Sequence, residues 1–335
     1  MRRITLVALA ALTFIAPIPR HLVEDHYSTS AYPFIQRTLT SFSNQTALAL
    51  FDVLLAAVAV TALLLLVRRG RILNLLTLAA VGWLLFLAAW GLNYRRVPLE
   101  EKVAYDPQRV TPAKVAAVAR RAVREMNRLY PAAHAGDAPS LDELSAALAP
   151  ALERASRDLQ IEPPLAARPK QTWLAPYFRR AGIDGMTDPF LLETLLAPTL
   201  LEVEQPAALA HEWAHLAGLA DESEAGFLGW LTCQHGDARA QYSGWIALYP
   251  RLLGPLTERE RTAVQALLAK GPREDFRRIA TRLAETDETT HAVAHATYDR
   301  FLRANRIPEG IQSYDAVVRL VVGTDVAERF NTRRN

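Results

Sequence analysis

Residues 206–218 of the chain, PAALAHEWAHLAG, predict a single helix. Pro206 suits the first turn of a helix and Gly218 suits the position just past its end. His211 and His215 are four residues apart, so their rings leave the same face of this helix, one turn from each other. Two imidazoles placed in this way can both bind one zinc ion at ~2.0–2.1 Å. The segment therefore predicts a metal site as well as a helix.

Glu212 follows the first histidine and lies ~100° round the helix from it. We expect its carboxylate to touch a zinc-bound water instead of the metal. As a general base it would take the proton of that water while zinc polarises the carbonyl group under attack. The alternative is a buried helix with two hydrogen-bonded histidines, but burying Glu212 without a chemical role would be costly. We therefore predict Glu212 as the catalytic residue and Zn²⁺ as the cofactor.

Zinc needs a third protein ligand and an open fourth position. Three carboxylates follow the helix, at Asp221, Glu222 and Glu224. Asp221 stands where the N-cap of a second helix is expected, and Glu224, three residues later, can complete a capping box. Glu222 is left over and is the favoured third ligand. Asp221 stays open because HExxHxxGxxD has the spacing of metzincin-like zincins with Asp in the last ligand place, and Glu224 is a second alternative.

Small residues recur near the start of this second helix, at Ala225, Gly226 and Gly229. Their spacing of three to four residues places them along one face of the helix. We expect this face to let the second helix approach the first one closely.

Three apolar runs lie in the first 95 residues and predict membrane helices at about 4–18, 47–67 and 72–92. The second and third are long enough to cross ~30 Å of hydrocarbon. Trp90 and Tyr94, at the end of the third, suit an aromatic belt. The first run could be a signal peptide, but APIP at residues 16–19 is a poor cleavage site, so a retained helix is favoured. Residues 1–95 are predicted as a membrane region and residues 96–335 as a separate domain.

Basic residues predict the orientation of these helices. The loop RRGR at residues 68–71 is short and should stay in the cytoplasm. Arg2 and Arg3 agree, because an even number of crossings separates them from that loop. Residues 96–335 are then expected on the outer side of a bacterial inner membrane.

Residues 96–335 have the size of one domain. Helical periodicity and the capping boxes that begin at Ser140 and Thr257 predict mostly helices. Strand candidates are few and lie at Gln171–Leu174, Ile183–Met186 and Thr199–Glu204. The last of these is also a candidate edge strand for an extended peptide. The predicted fold class is α+β, mainly α, with a small sheet.

Composition excludes several functions. The net charge is only +3 and the basic residues are scattered, so nucleic acid is not an expected partner. Cys233 is the single cysteine, which rules out an intramolecular disulfide and a cysteine-rich metal site. We expect it to be a small buried residue.

The segment HEWAHLAG at residues 211–218, followed by ESEA at residues 222–225, resembles the bacterial membrane family called domain of unknown function 3810. That family has the pattern HExxHxxG and then ExEAN. Further likeness lies along most of the chain, at Tyr32-Pro33, Phe51-Asp52, residues 90–95, Gln241–Ser243, Tyr298-Asp299 and Ser313-Tyr314. The resemblance implies a multi-pass membrane protein with a zincin-like metallopeptidase domain, and it implies no particular substrate.

The second helix is also similar to the ExxAD segment of membrane gluzincins, in which the first Glu binds zinc. Carried over by position, that residue is Glu222. The sequence departs at Gly226, where those families have Asn or Asp. That side chain usually supports a ligating histidine, so the supporting hydrogen bond must come from elsewhere or is missing. This departure motivates an alternative function, a zinc-binding but catalytically inactive membrane sensor or scaffold.

Other residues are weaker candidates. His291 and His295, in the segment HAVAH, are four residues apart but have no glutamate beside the first histidine. A second metal site or a role in stabilising an oxyanion is less expected there than a plain helix face. Tyr242, Tyr298 and Tyr314 are candidate oxyanion donors.

Together these patterns predict a membrane-anchored zinc metallopeptidase. His211, His215 and Glu222 would bind Zn²⁺, and Glu212 would activate the water. The expected partners are the lipid bilayer and a protein or peptide substrate near the membrane.

Overall fold

The computed structural model describes residues 2–310 and 316–324. The N-terminal helices in this part of the chain are α1 (Arg2–Ile15), α2 (Arg20–Val23), α3 (Tyr32–Ser43), α4 (Leu50–Leu66) and α5 (Arg71–Ala89). The later helices are α6 (Pro112–Ala133), α7 (Leu141–Asp158), α8 (Ala175–Ala181), α9 (Gln205–Leu216), α10 (Glu222–His235), α11 (Ala238–Leu253), α12 (Glu258–Ala266), α13 (Lys270–Leu283), α14 (Glu288–Ala304) and α15 (Val317–Gly323). With a small sheet beside them, these helices confirm the mainly helical α+β class.

The three apolar runs form α1, α4 and α5, but they do not all have the length of a membrane span. Within the described residues, α5 alone is long and apolar enough to cross a bilayer, with 19 residues. Helix α1 has 14 residues and α4 has 17. Of the three predicted membrane helices, at about 4–18, 47–67 and 72–92, the structure thus supports the third as a candidate span, and the first two are too short to count as one.

A local cause shortens each of the two shorter helices. Pro17 and Pro19 follow α1, and proline cannot continue a helix. Helix α4 begins only at Leu50, because Glu193 accepts hydrogen bonds from Leu50 N at 3.1 Å and from Phe51 N at 2.7 Å. The first N–H groups of a helix have no partner within the helix, so a distant carboxylate can determine where it starts.

The three apolar helices lie side by side. Arg3 Nη1 donates to Asn74 Oδ1 at 2.5 Å, and Trp83 Nε1 donates to Thr13 Oγ1 at 3.1 Å. The first pair joins the starts of α1 and α5 and the second joins later turns, so these two helices run in the same direction. Helix α4 returns antiparallel to α5 through a tight loop in which Gly70 has φ +73°. Their outward faces expose large apolar side chains.

The segment between the first two apolar helices packs on the later part of the chain. It contains α2, a π-helical segment at Glu24–Ala31 and α3, none of which the sequence pattern predicts. Gln36 Nε2, for example, donates to Leu165 O at 2.8 Å. Direct contacts therefore bridge the expected division at residue 95.

The sheet has three short strands, β1 (Pro169–Lys170), β2 (Gly185–Thr187) and β3 (Thr194–Leu196), in the order β1-β3-β2. Strand β1 is parallel to β3 and β2 is antiparallel to it. The candidate Ile183–Met186 overlaps β2, whereas Gln171–Leu174 is not a strand. Strand β2 therefore lies at an edge of the sheet.

The predicted edge strand Thr199–Glu204 is wrong, because this segment is a turn that leads into α9. Leu201 N donates to Glu204 Oε2 at 3.1 Å, and Glu204 N donates to Leu201 O at 2.8 Å. Leu200 and Val203 are both buried. The alternation of apolar and polar residues there reflects a buried turn instead of a strand.

A buried ion pair joins the sheet to the start of α4. Lys170 Nζ contacts Glu193 Oε1, and the two side chains are only 1% and 0% exposed. Lys170 Nζ also donates to Ser43 O at 2.7 Å and to Leu48 O at 3.1 Å. These hydrogen bonds offset the cost of taking both charges out of water. The first turn of α4 is thereby fastened to β1 and to the segment before β3.

The variant Glu193→Gln is expected to destabilise the protein by about 3–5 kcal/mol, because it leaves Lys170 as an uncompensated buried charge. Thermal unfolding of the detergent-solubilised protein measures the effect as a lower melting temperature. The double variant Lys170→Met with Glu193→Gln removes that charge and should recover part of the loss. An unchanged melting temperature in the single variant would contradict the role of this pair.

Helices α9 and α10 pack against each other at the centre of the helical domain. A Cβ added at Gly229 would lie 3.0 Å from His211 Cα, so a larger residue would push the helices apart. The predicted close approach is therefore confirmed at Gly229. Cys233, on the same helix, is fully buried as expected.

Candidate metal centre

Helix α9 carries the HEWAH segment. Pro206 lies in its first turn, and Gly218 follows its end with φ +78°, as the sequence predicts. The rings of His211 and His215 leave the same face, with centroids 4.8 Å apart. The His215 side chain is 10% exposed and the His211 side chain 22%, so His211 lies nearer to solvent.

Glu222 begins α10 and completes a cluster with the two histidines. Its Oε2 lies 3.1 Å from His211 Nε2 and 3.5 Å from His215 Nε2. The ligand atoms of these three residues all lie within 4.8 Å of one another. Two ligands of a tetrahedral zinc ion are ~3.3 Å apart, so the spacing fits this metal. Among the His, Cys, Asp and Glu side chains of the described residues, these three could together hold a metal ion.

The two alternative carboxylates are engaged elsewhere. Asp221 Oδ1 accepts hydrogen bonds from Ser223 N at 2.8 Å and from Glu224 N at 3.4 Å, which confirms the predicted N-cap. Glu224 does not complete a capping box, because its Oε1 accepts from Leu99 N at 2.5 Å. Its position ~200° round the helix from Glu222 turns it away from the histidines. Of the three candidates, the structure brings only Glu222 to them.

The charges of this cluster are strongly coupled. Burial alone would lower the pKa of His215, but the carboxylates of Glu222 and Glu212, together with the hydrogen bond to Leu219 O, raise that pKa to about 9. Burial would likewise raise the pKa of Glu222, yet His215 and His211 hold it well below its usual range. Glu222 is thus an anion that favours a cation beside it, and a metal ion can take the place of the proton on His215.

Zinc affinity is therefore expected to rise with pH between about 7 and 9. Below a pKa of about 9 the His215 ring carries a proton that must leave before the ring can bind metal. Each pH unit should tighten binding about tenfold, and the gain should level off above pH ~9. Competition with a chelator of known affinity at several pH values measures this slope. A flat profile across the range would contradict the coupling of His215 to Glu222.

A main-chain carbonyl orients the His215 ring on the side opposite the metal position. Its Nδ1 lies 2.7 Å from Leu219 O, which is the outer hydrogen bond that metal-binding histidines usually make. Gly218 allows this contact, because its left-handed conformation turns the chain back toward the ring. His215 therefore has an outer hydrogen bond that does not depend on a side chain at Gly226. A Cβ added at Gly226 would already lie 3.3 Å from Val317 Cγ2.

Glu212 lies beside the cluster and is 6% exposed. The Thr187 hydroxyl, on β2, lies 2.9 Å from Glu212 Oε2 and 2.8 Å from Glu212 O. Gly185 lies against the same carboxylate, since an added Cβ would be 2.9 Å from Oε1. Burial raises the pKa of Glu212, although His215 and His211 lower it in part. A raised pKa makes this carboxylate a stronger base than an ordinary glutamate.

The outer edge of β2 runs past Glu212. Asp184 O accepts from Ala197 N at 2.9 Å, and Asp188 N donates to Glu193 O at 3.0 Å. Bonded positions alternate in an antiparallel pair, so the N–H and C=O groups of Gly185 and Thr187 point away from β3. No further strand pairs with this edge in the described residues.

Tyr298 is the tyrosine candidate that reaches the cluster. From α14, its hydroxyl donates a hydrogen bond to Glu222 Oε1. His291 and His295 lie on the same helix, but neither belongs to the metal-binding group. His291 Nδ1 instead lies 2.8 Å from Ala181 O, so it helps to fasten α14 to α8.

The other two tyrosine candidates are not part of this site. Tyr242 OH donates to Asp275 Oδ2 at 2.6 Å, and His134 Nε2 lies 3.0 Å from the same oxygen. This second cluster joins α6, α11 and α13 and has a structural role. Tyr314 lies outside the described residues.

The sequence does not predict three residues that contact the site: Thr187, Trp90 and Tyr94. Trp90 Nε1 donates to His215 O at 3.1 Å, and Tyr94 packs edge-on against Trp90 with centroids 5.0 Å apart. Burial, and then the negative charge of Glu222, raises the pKa of Tyr94 well above its usual value, so its hydroxyl stays neutral. Aromatic residues at the end of an apolar helix are typical of a membrane belt, which concealed their contact with the site.

Comparison with known proteins identifies the family of the chain, and that family has no described function. The family model described as protein of unknown function, DUF3810, matches residues 27–322, which is most of the chain. The chain therefore belongs to this family, as the sequence motifs suggest. No curated protein and no solved structure matches it.

Proposed function

We propose that this member of the DUF3810 family is a membrane-bound, zinc-dependent peptidase. The observation that carries the proposal is the convergence of His211, His215 and Glu222 on one point, beside the buried Glu212. Zinc bound there would supply a Lewis acid that polarises a carbonyl oxygen and lowers the pKa of a water molecule. The chain's own side chains would do the rest.

Glu212 is placed to move the proton. Thr187 holds the Oε2 side of the carboxylate, and the Oε1 side faces Gly185, where no side chain blocks it. In the proposed reaction Glu212 takes a proton from the attacking water and delivers it to the leaving nitrogen. A raised pKa suits both halves of this transfer.

The edge of β2 supports a peptide as the substrate. Gly185 and Thr187 offer outward N–H and C=O groups, with which an extended peptide can pair as an added strand. Glu212 lies against the face of the same strand. A peptide bound along this edge would therefore pass the proposed catalytic group.

Tyr298 is proposed as a positioning residue. Its hydroxyl donates to Oε1 of Glu222, while Oε2 of that carboxylate faces the two histidines. The bond limits rotation of the carboxylate about its last torsion. Tyr298 thereby keeps one oxygen directed at the metal position.

We further propose that α1, α4 and α5 all enter the bilayer, with the site outside the cytoplasm. Helices α1 and α5 are parallel and begin with Arg3 and Arg71, and basic residues favour the cytoplasmic side. The exposed apolar faces of α1 and α4 support their insertion. A helix of 17 residues spans only ~26 Å, so the bilayer is expected to thin around the protein.

The alternative function is a zinc-binding but inactive sensor or scaffold. This alternative arises because Gly226 lacks the side chain that usually supports a ligating histidine. Leu219 O accepts a hydrogen bond from the His215 ring, so this histidine has its outer support without a side chain at Gly226. The buried Glu212, which a scaffold would not need, also favours the peptidase.

The test uses the full-length protein in detergent, with its zinc content measured and a broad peptide library as substrate. We expect about one zinc per chain and cleavage products that disappear with chelator and return with added zinc. Zinc without any cleavage would favour the sensor or scaffold. Absence of bound zinc would reject both functions.

A further inference from the structure

We propose that the substrate is itself a membrane-anchored polypeptide, cut within about ten residues of the point where it leaves the bilayer. This inference rests on the proposed peptidase function and adds the class of substrate. It follows from the height of the metal centre above the membrane helices and from the rigidity of that placement.

The end of α5 lies directly against the metal centre. Trp90 is the next residue after α5, and its indole donates to the backbone of His215. Leu85 is the last large apolar residue of α5 that is well exposed, at 57%, whereas Phe86, Leu87 and Trp90 are each 6% exposed. The lipid-facing part of α5 therefore ends near Leu85, and its last turn is buried in the outer domain.

The distance from the hydrocarbon to the metal ligands is short. The residues from Leu85 to Trp90 advance about 7.5 Å along a helix axis. The Trp90 and His215 rings are 6.2 Å apart. Together these two distances place the His215 ring on the order of 14 Å above the hydrocarbon boundary, while the headgroup layer itself is roughly 5–7 Å thick. An extended chain covers that height in about four residues.

The metal centre is also held rigidly at this short distance from the membrane helices. The carbonyl groups of residues 215–218, at the end of α9, all accept hydrogen bonds from side chains in the first 96 residues. Besides Trp90, Tyr32 OH donates to Leu216 O at 3.0 Å. Arg96 Nη1 donates to Ala217 O at 3.2 Å and to Gly218 O at 3.0 Å. Direct hydrogen bonds therefore fix the end of α9, and with it the site, to the N-terminal helices.

The opposite wall of the site also rests on the membrane helices. Tyr298 of α14 contacts Glu222, and Phe301, almost one turn later, packs on Phe86 with centroids 6.1 Å apart. Phe301 also packs on Tyr94, at 5.8 Å. Both sides of the metal centre are thus fixed at the level of the last turn of α5.

Exposed aromatic side chains lie near the outer end of α4. Trp173 N donates to Asp52 Oδ2 at 2.8 Å, in the first turn of α4. The Trp173 residue is 67% exposed, and Tyr177, four residues later, is 45% exposed. Tryptophan and tyrosine favour the interface between lipid and water. We expect these two residues to lie in the headgroup layer and to keep this face of the domain on the membrane.

By this estimate the site lies just outside the headgroup layer. A chain that leaves the bilayer reaches this height within a few residues, whereas a soluble protein must first approach the membrane surface. Sharing one membrane also raises the effective concentration of the substrate, toward the millimolar range for a short tether. The outer edge of β2 can form main-chain hydrogen bonds with a polypeptide, so it favours a polypeptide substrate over the lipids near the site.

The test places the full-length protein in liposomes with three versions of one randomised peptide library. In the first, the segment directly follows a transmembrane anchor; in the second, a long flexible spacer separates them; in the third, the segment is soluble at about 10 µM. We expect cleavage within about ten residues of the anchor, roughly 100-fold faster than for the soluble library, with the spacer version in between. Dispersing enzyme and substrate in separate detergent micelles should abolish this advantage.

Equal rates for the anchored and soluble libraries would overturn the substrate class and leave the peptidase function standing. Faster cleavage of the soluble library would do the same. If no library is cut by wild type in liposomes or in detergent, the peptidase function fails, and this inference fails with it. Glu212→Gln in the same liposomes identifies cleavage by a contaminant.

Discussion

Glu212→Gln is expected to abolish peptide cleavage while leaving about one zinc bound per chain. Glutamine keeps the shape of the side chain and its contact with Thr187, and it does not touch the metal-binding atoms of the cluster. It cannot accept the proton of the attacking water. Loss of a general base typically costs about 10²–10⁴-fold in rate, so cleavage should fall to the background of the assay. Initial rates and zinc content on the same preparation measure both effects.

The matched control is Glu202→Gln, which makes the same chemical change at an exposed glutamate in the turn before α9. Its rate and zinc content should equal those of the wild type. If the Glu212 variant keeps more than about a tenth of the wild-type rate, Glu212 is not the general base. If it loses zinc as well, the loss of activity would have another cause and the assignment would fail.

Glu222→Ala is expected to lose the metal. It removes the carboxylate that lies within 3.5 Å of both histidine nitrogens, and with it the negative charge that favours a cation there. Substitution of residues that only support a ligand typically costs 10–100-fold in metal affinity. Loss of the ligand itself should therefore weaken zinc binding by at least about 100-fold. Chelator competition at constant pH measures the change, and peptide cleavage should disappear with the metal.

Two neighbouring carboxylates provide the controls for this experiment. Glu224→Gln changes a buried glutamate that accepts from Leu99 N and should keep full zinc affinity. Asp221→Ala removes the N-cap of α10, which costs about 1 kcal/mol of stability, and should also keep its zinc. Retention of zinc by Glu222→Ala, with loss in either control, would assign the third ligand to the other carboxylate.

Local features of the site follow from the order of residues alone. The helix from Pro206, the shared face of His211 and His215 and the cap at Asp221 depend on neighbours within four residues. Hydrogen bonds of a helix and its caps act over that same distance, so short patterns predict them well. The choice of Glu222 over Glu224 agrees with the geometry, but the elimination assumed a capping box, whereas Glu224 accepts from the distant Leu99 N.

Predictions that depend on distant partners were less accurate. The start of α4 depends on Glu193, so the apolar run alone overestimates the length of this helix. The strand expected at Thr199–Glu204 is a buried turn, because apolar alternation does not distinguish one from the other. The hydrogen bond that supports His215 comes from a main-chain carbonyl, which no side-chain motif records.

The order of residues thus specifies a helix with two histidines and a glutamate on suitable faces, a cap after it, and apolar runs before it. Folding adds Thr187 beside Glu212, Tyr298 on Glu222 and Trp90 on His215, from positions 25, 76 and 125 residues away. Such contacts arise when whole helices and strands bury their surfaces against one another, and no local periodicity encodes which side chains then meet. The candidate metal ligands can therefore be recognised in the sequence, whereas the position of this cluster against the end of α5 depends on how whole elements pack.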